Sequence, residues 1–260
     1  MKTPVRDGLD FKSLPTIKEL IPRKSIVSSF LLYAGTIELG LVGDQRFLIA
    51  HTNKRPVYDF WKCAQEDSRL VADHAVFFFN KLLNPPPPFK REEAFFSLQQ
   101  GWASDIDPFA RSAKFFVLNR CSEAGLISSG KLNARHFNPM SVSRLKTFKA
   151  PNFYLAYDQK EDFIDAVGDP EDSEYLFLPV GHYNYNLFEH GKSRGPEEAP
   201  IHHKRLYEKL SDQDKKWVVL YKNHNGVFDL YKDHHTIMVD QYGRKTNRKD
   251  NCEDIVIANF

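Results

Sequence analysis

Histidine is the side chain best suited to proton and metal chemistry near neutral pH, and this chain gathers several late in the sequence. His182, His190, His202 and His203 share a stretch with Glu189, Glu197 and Glu198. Imidazole and carboxylate together suit a metal or nuclease centre. Their spacing fits no standard ligand motif, and a long polar loop from Gly181 to Pro200 accounts for the same residues. His234 and His235 read as a turn before a strand. Gly191-Lys192-Ser193 has the ending of a phosphate-binding loop, but Asn186 stands where the upstream glycine belongs. Cys63, Cys121 and Cys252 are far apart and form no CxxC or Cys-His spacing, so no metal site or disulfide framework is expected. Basic residues cluster twice: Lys131, Arg135, Arg144, Lys146 and Lys149, then Arg244, Lys245, Arg248 and Lys249. Such clusters hold phosphates without choosing sequence, although a solvated surface has the same composition.

The elements that must position these groups follow from size and patterning. The chain has 260 residues, 42% hydrophobic and 27% charged, which is ordinary for a globular protein with a sizeable core. Net charge is +2, so any nucleic-acid surface must come from local clustering. The N-terminus has no apolar signal region and no run is long enough to cross a bilayer, so a cytoplasmic protein without a membrane partner is expected.

Ser25–Leu32 and Arg46–Ala50 read as buried strands around a turn at Gly35. Arg55–Asn80 reads as a helix, as does Pro108–Arg120, and Asn84–Phe89 with its prolines breaks the helix between them. Further strands are expected at Phe153–Leu155, Tyr175–Phe177, Trp217–Tyr221, Thr236–Val239 and Asp254–Phe260, with a helix at Ile201–Leu210. Alternating strands and helices predict an α/β sheet covered on both faces, with ligands at the carboxyl ends of its strands.

Several segments, in order, resemble the Dam-like class of N6-adenine DNA methyltransferases. Ala113–Arg120 looks like the family's helix ending in Leu-Asn-Arg. Gly125-Leu126 and then Gly130–Pro139 are similar to its glycine-leucine step and its glycine-x-phenylalanine-asparagine-x-proline hairpin. Leu220–His224 resembles the strand end Ser-Asn-His, and Glu253–Phe260 the closing strand. The resemblance implies a methyltransferase-like Rossmann-type mixed sheet formed by 1–80 and 150–260, with an inserted, mainly helical DNA-recognition lobe at 81–149. It also places Arg120, Lys131, Asn133, Arg135, Arg144, Lys146 and Lys149 in that lobe, and Arg244, Lys245, Arg248 and Lys249 in a loop near the substrate. Asn133 and Asn138 can read adenine edges, or serve as turn residues.

The family's chemistry requires a glycine-rich first turn, an acid at the end of the second strand, and Asp-Pro-Pro-Tyr after a buried strand. This chain departs at each. The first turn, Phe30 to Thr36 with Ala34 and Gly35, carries bulky Leu32 and Tyr33 where the cofactor needs space. His51, two residues before Asn53, stands where the acid belongs. Leu178, Pro179, Val180 and Gly181 stand in place of Asp-Pro-Pro-Tyr and offer neither an acceptor nor an aromatic ring. The family's Gly-Gly-Lys motif is absent from the matching Asp10–Pro15. The expectation is therefore a catalytically inactive homologue without S-adenosylmethionine, acting through double-stranded DNA or a protein partner. Three alternatives stay open. One is an active adenine methyltransferase in which Asn184 or Asn186 supplies the acceptor and Tyr183 or Tyr185 the stacking face. Another is a different enzyme on the same fold, working on a modified nucleobase with the histidine-rich loop. The third is an interaction protein with no DNA affinity.

Overall fold

A computed structural model describes the chain except for residues 1, 7, 126, 128–129, 161, 169–171 and 184–200. Its strands are β1 (Ile26–Ser29), β2 (Phe47–Thr52), β3 (Phe153–Tyr157), β4 (Tyr175–Gly181), β5 (Lys216–Lys222), β6 (His235–Asp240), β7 (Lys245–Thr246) and β8 (Cys252–Ala258). They form one sheet in the order β3-β2-β1-β4-β5-β8-β6-β7. β1 to β5 are mutually parallel, whereas β8 lies antiparallel between β5 and β6. The first five positions follow the 3-2-1-4-5 order of doubly wound dinucleotide-binding sheets, with strand order reversing between β1 and β4.

Period-two alternation builds a core on each face of this sheet. Tyr175 and Phe177 of β4, Val218 and Leu220 of β5, and Val256 and Ala258 of β8 enter one core. Their neighbours Leu176, Leu178, Trp217, Val219, Tyr221, Ile255 and Ile257 enter the other. The central strands are buried on both faces, as parallel strands require, and so read as continuous apolar runs.

The first face carries α1 (Leu14–Leu20), α2 (Thr36–Val42), α3 (Arg55–Leu83), α5 (Pro108–Cys121) and α6 (Pro139–Lys146); α4 (Arg91–Gly101) adds Phe95 to the same core. The second carries α7 (His203–Ser211) and α8 (Asn225–Leu230), through Leu206, Leu210 and Val227. The helix expected at 55–80 is two helical runs joined at Asp67, whose backbone leaves the helical region. The Asp67 carboxylate accepts from Arg69 N and Leu70 N, so it caps the second run. Phe60 packs against Phe115 at 4.9 Å, which ties α3 to α5. The helices of 81–149 are thus continuous with the core that covers the sheet.

The hairpin expected at 130–139 takes another form. A single antiparallel bridge joins Ser122 to Leu132, a short 3₁₀ turn covers Ala134–His136, and α6 starts at Pro139. Asn133 and Asn138 are turn residues. Asn133 Oδ1 accepts from Arg135 N, and Asn138 Oδ1 caps α6 through Ser141 N at 2.9 Å. No helix among the described residues is long and apolar enough to cross a membrane.

Candidate nucleic-acid interface

In a doubly wound sheet the ligand crevice lies at the carboxyl ends of the strands, where the order reverses. Here that point is the turn after β1. The strand expected to run to Leu32 ends at Ser29 because Leu31 takes a left-handed backbone, φ 64°. The reversal sends Leu32 inward, where it is fully buried and its N–H donates to His51 O at 3.0 Å. Phe30 and Ala34 are buried too. Gly35, φ +65°, lies under the Trp61 ring: a Cβ there would stand 3.0 Å from Trp61 Cζ2. Trp61 Nε1 in turn donates to Tyr33 O at 2.8 Å. Thr36 opens α2, and its Oγ1 is buried without a hydrogen-bond partner among the described residues. The first turn is therefore closed by packed side chains.

At the end of β2, His51 is 8% exposed and stacks on Phe30 with ring centroids 4.6 Å apart. Its Nδ1 lies 3.2 Å from Asp158 Oδ1. A carboxylate thus does reach this strand end, supplied by the residue that follows β3, but it faces the imidazole. Sequence reasoning missed Asp158, which pairing of Thr52 with Tyr157 brings alongside from far along the chain. His51 Nε2 and Asp158 Oδ2 are both buried without hydrogen-bond partners among the described residues. Asn53 Nδ2 donates to Lys160 O at 3.5 Å.

Leu178, Pro179, Val180 and Gly181, expected as a loop beyond the strand, are instead the last four residues of β4. All four are buried, and Pro179 pairs with Leu220. The residues that follow the strand are His182 and Tyr183. The Tyr183 ring lies between two imidazoles, 4.3 Å from His203 and 4.7 Å from His224, each tilted by 17°. His203 Nδ1 is 3.0 Å from the Tyr221 hydroxyl. Burial first, then His224 and His202, depress the His203 pKa, with a hydrogen bond to the Tyr183 backbone opposing. His234 packs edge-on against Trp217 at 4.9 Å, and His235 begins β6. No three His, Cys, Asp or Glu among the described residues are grouped to hold a metal ion. Asn184, Tyr185, Asn186, Glu189, His190, Gly191-Lys192-Ser193, Glu197 and Glu198 lie outside the described residues.

A strap formed by the N-terminal segment crosses the same edge of the sheet, and no pattern in the sequence signals it. Thr3 Oγ1 donates to Ala34 O at 2.5 Å, beside β1. Leu9 packs on Gly181, where a Cβ would stand 2.9 Å from Leu9 Cδ2. Lys12 N and Ser13 Oγ both donate to Asp254 Oδ2 at 2.6 Å, beside β5. Val5 and Phe11 anchor the strap in the first core.

The strap also completes a basic cluster. Arg6 N donates to Asn119 Oδ1 at 2.6 Å and Arg6 Nη1 to Ser122 O at 3.1 Å, which places Arg6 at the end of α5. Arg120, 9% exposed in the last turn of α5, donates to Pro4 O, and its Nε has no partner among the described residues. Arg135 Nε donates to His136 Nε2 at 3.0 Å. Burial, then Arg144 and Arg6, lower the Arg120 pKa to about 10. Burial and Arg135 lower that of Arg6. Among the described residues, Arg6, Arg120, Arg135 and Arg144 form no ion pair. Four guanidinium groups gathered together, without a counterion among those residues, form an anion-attracting surface.

The other expected basic residues sort differently. Lys131 and Lys149 are exposed, and Lys146 pairs with Asp73 at 2.7 Å. Lys245 pairs with Glu19 at 2.6 Å, Arg244 lies over Tyr242, Lys249 lies 4.4 Å from the Phe228 ring centre, and Arg248 is exposed. This second group stands at the carboxyl end of β5, since Asn223 Nδ2 donates to Lys249 O at 3.3 Å. The Lys12 carbonyl packs on Gly243, so the strap joins both basic groups along one edge. Between Arg6 and Lys12 it spans at most about 22 Å, at roughly 3.3–3.6 Å per residue.

Compared with known proteins, the sequence matches no family model and no curated protein.

Proposed function

We propose that this protein is a catalytically silent relative of the Dam-like adenine methyltransferases that binds double-stranded DNA through its phosphates. The observation that carries the DNA reading is the cluster of Arg6, Arg120, Arg135 and Arg144, which lacks any carboxylate counterion among the described residues. Arginine pairs with phosphate by charge-assisted, often bidentate hydrogen bonds. Lys131, Arg244, Arg248 and Lys249 extend the positive edge.

Silence in methyl transfer is supported by the first turn, which Leu32 and Trp61 fill, and by the turning of Asp158 toward His51. Neither Asn133 nor Asn138 is spared for reading bases, because each caps its own turn. The contacts proposed are therefore to the backbone, and affinity does not depend on base sequence.

Binding of a short duplex measured across salt concentrations tests the reading. If the four arginines each neutralise one phosphate, log K falls against log salt with a slope of about −3 to −4. Arg135→Ala and Arg144→Ala each reduce the magnitude of that slope by about 0.9. Absence of binding, or binding that ignores salt, overturns the DNA reading. Micromolar binding of S-adenosylmethionine in calorimetry, or methylation of plasmid adenine, overturns silence.

A further inference from the structure

We propose that His136 couples DNA binding to proton uptake, so that phosphates seated among the arginines draw a proton onto this imidazole and the complex tightens as pH falls. This rests on the phosphate-binding reading of the same cluster and adds its regulation.

His136 closes the 3₁₀ turn Ala134–His136. Its Nε2 accepts the hydrogen bond from Arg135 Nε at 3.0 Å. A ring nitrogen that accepts carries no proton, so this contact holds His136 neutral with its proton on Nδ1. Protonation would set an N–H against a guanidinium N–H. The charges facing the ring come from three elements: Arg135 on its own turn, Arg6 on the strap and Arg120 on α5. Arg120 in turn faces Arg144 of α6. Lys131, upstream in the same segment, is exposed. Among the described residues no carboxylate acts on the imidazole, and Glu123, the nearest acidic residue in sequence, is exposed. Burial, then Arg6, Arg135 and Arg120, all push the His136 pKa down.

A phosphodiester stays ionised through the whole range in which histidine titrates. Placed among these arginines, it offsets their positive field at the imidazole. It also accepts from Arg135 and so releases His136 Nε2. Both changes favour the imidazolium, so the pKa is higher in the complex than in the free protein. The added affinity is then complete below the free-state pKa and vanishes as pH rises through the bound-state pKa. A separation of about one pH unit between the two gives about a tenfold change in affinity.

The test is the dissociation constant of a short labelled duplex, measured at constant ionic strength from about pH 8 to about pH 5, the range in which histidine titrates. The expected result is several-fold to about tenfold tightening toward acid, the upper figure corresponding to free-state and bound-state pKa values about one apart. His136→Gln keeps an acceptor for Arg135 and should bind with the slope removed. His235→Gln, on an exposed strand residue, should keep it. Side-chain NMR of His136 should show its titration moving upward when the duplex is added. Binding without a pH slope, or with the same slope in His136→Gln, overturns this inference and leaves phosphate binding standing. Absence of binding at every pH overturns both.

Discussion

Asp254 fixes the N-terminal strap to the sheet, and replacing it should loosen one without unfolding the other. The carboxylate is fully buried and accepts from Lys12 N, Ser13 Oγ and Lys222 Nζ, the last at 2.7 Å. Asp254→Asn keeps the shape and removes the charge. Breaking a buried ion pair from one side costs about 3–5 kcal/mol, because the remaining charge stays desolvated. Lys222 retains Glu253 Oε1 at 3.0 Å, and Glu253 is 47% exposed, so the lower end of that range applies. Unfolding entropy of about 2.1 cal/mol/K per residue then converts about 3 kcal/mol into a fall in Tm of about 5–6 °C for a chain of 260 residues. Burial alone would lower the Lys222 pKa, but hydrogen bonds and charge from Asp254 and Glu253 outweigh it and leave it raised. A lysine with a raised folded-state pKa contributes fully below its unfolded value of about 10.4, and loses the contribution only as pH climbs through the folded value. The deficit of Asp254→Asn should therefore be constant from neutral pH to about pH 10. Urea denaturation gives the energy, and amide exchange locates it: residues 3–13 should exchange faster while β5 stays protected. Adding Lys222→Met should recover much of the loss, as removing both charges does in buried pairs. Wild-type stability and unchanged strap protection in Asp254→Asn would refute the reasoning.

Asp59 makes the corresponding link between α3 and α5. It is 2% exposed and accepts from Arg55 Nε and Arg111 Nε, both at 2.9 Å. Asp59→Ala leaves Arg111 unpaired and should lower stability by about 3–5 kcal/mol in urea titration; Arg55→Ala, removing a half-exposed partner, should cost about 1 kcal/mol or less. The cysteines should be inert: burial raises Cys63, carries Cys252 to about 11 and Cys121 to about 12. A thiol reagent at neutral pH should label none of them until the protein is unfolded, since the thiolate is the reactive form.

What is legible in the sequence is what repeats locally. β5, β8 and α5 carry long apolar runs or helical spacing, and they appear near their expected positions. β4 is longer than its expected span because Pro179 and Gly181 have the character of loop residues. The sheet accommodates them with a shift of register between Pro179 and Gly181, so the strand continues through both. The residues aligned with Asp-Pro-Pro-Tyr lie inside the sheet, and the strand opens onto His182 and Tyr183. The pairing of His51 with Asp158 is invisible in the sequence for a different reason: two parallel strands meet after a long excursion, and no local pattern records which strand ends become neighbours.

The basic residues make the same point in energetic form. In the sequence Lys146, Lys245, Arg120 and Arg135 have equal weight, and the net charge of +2 distinguishes none of them. Folding sorts them by counterion. Lys146 meets Asp73 and Lys245 meets Glu19, exposed pairs whose net value is small but whose charge is compensated. Arg6 arrives at the end of α5 only because the strap crosses the sheet, and it joins Arg120, Arg135 and Arg144 where no acid among the described residues pairs with them. Burying part of Arg120 beside two other guanidinium groups opposes folding, and it persists because Val5, Phe11 and the Asp254 contacts hold the strap in place. A structure that stores like-charge repulsion in this way is stabilised by any polyanion that relieves it, since a ligand that binds only the folded state adds its binding energy to folding. Bound DNA should therefore raise the Tm of this protein, and more at low salt than at high salt.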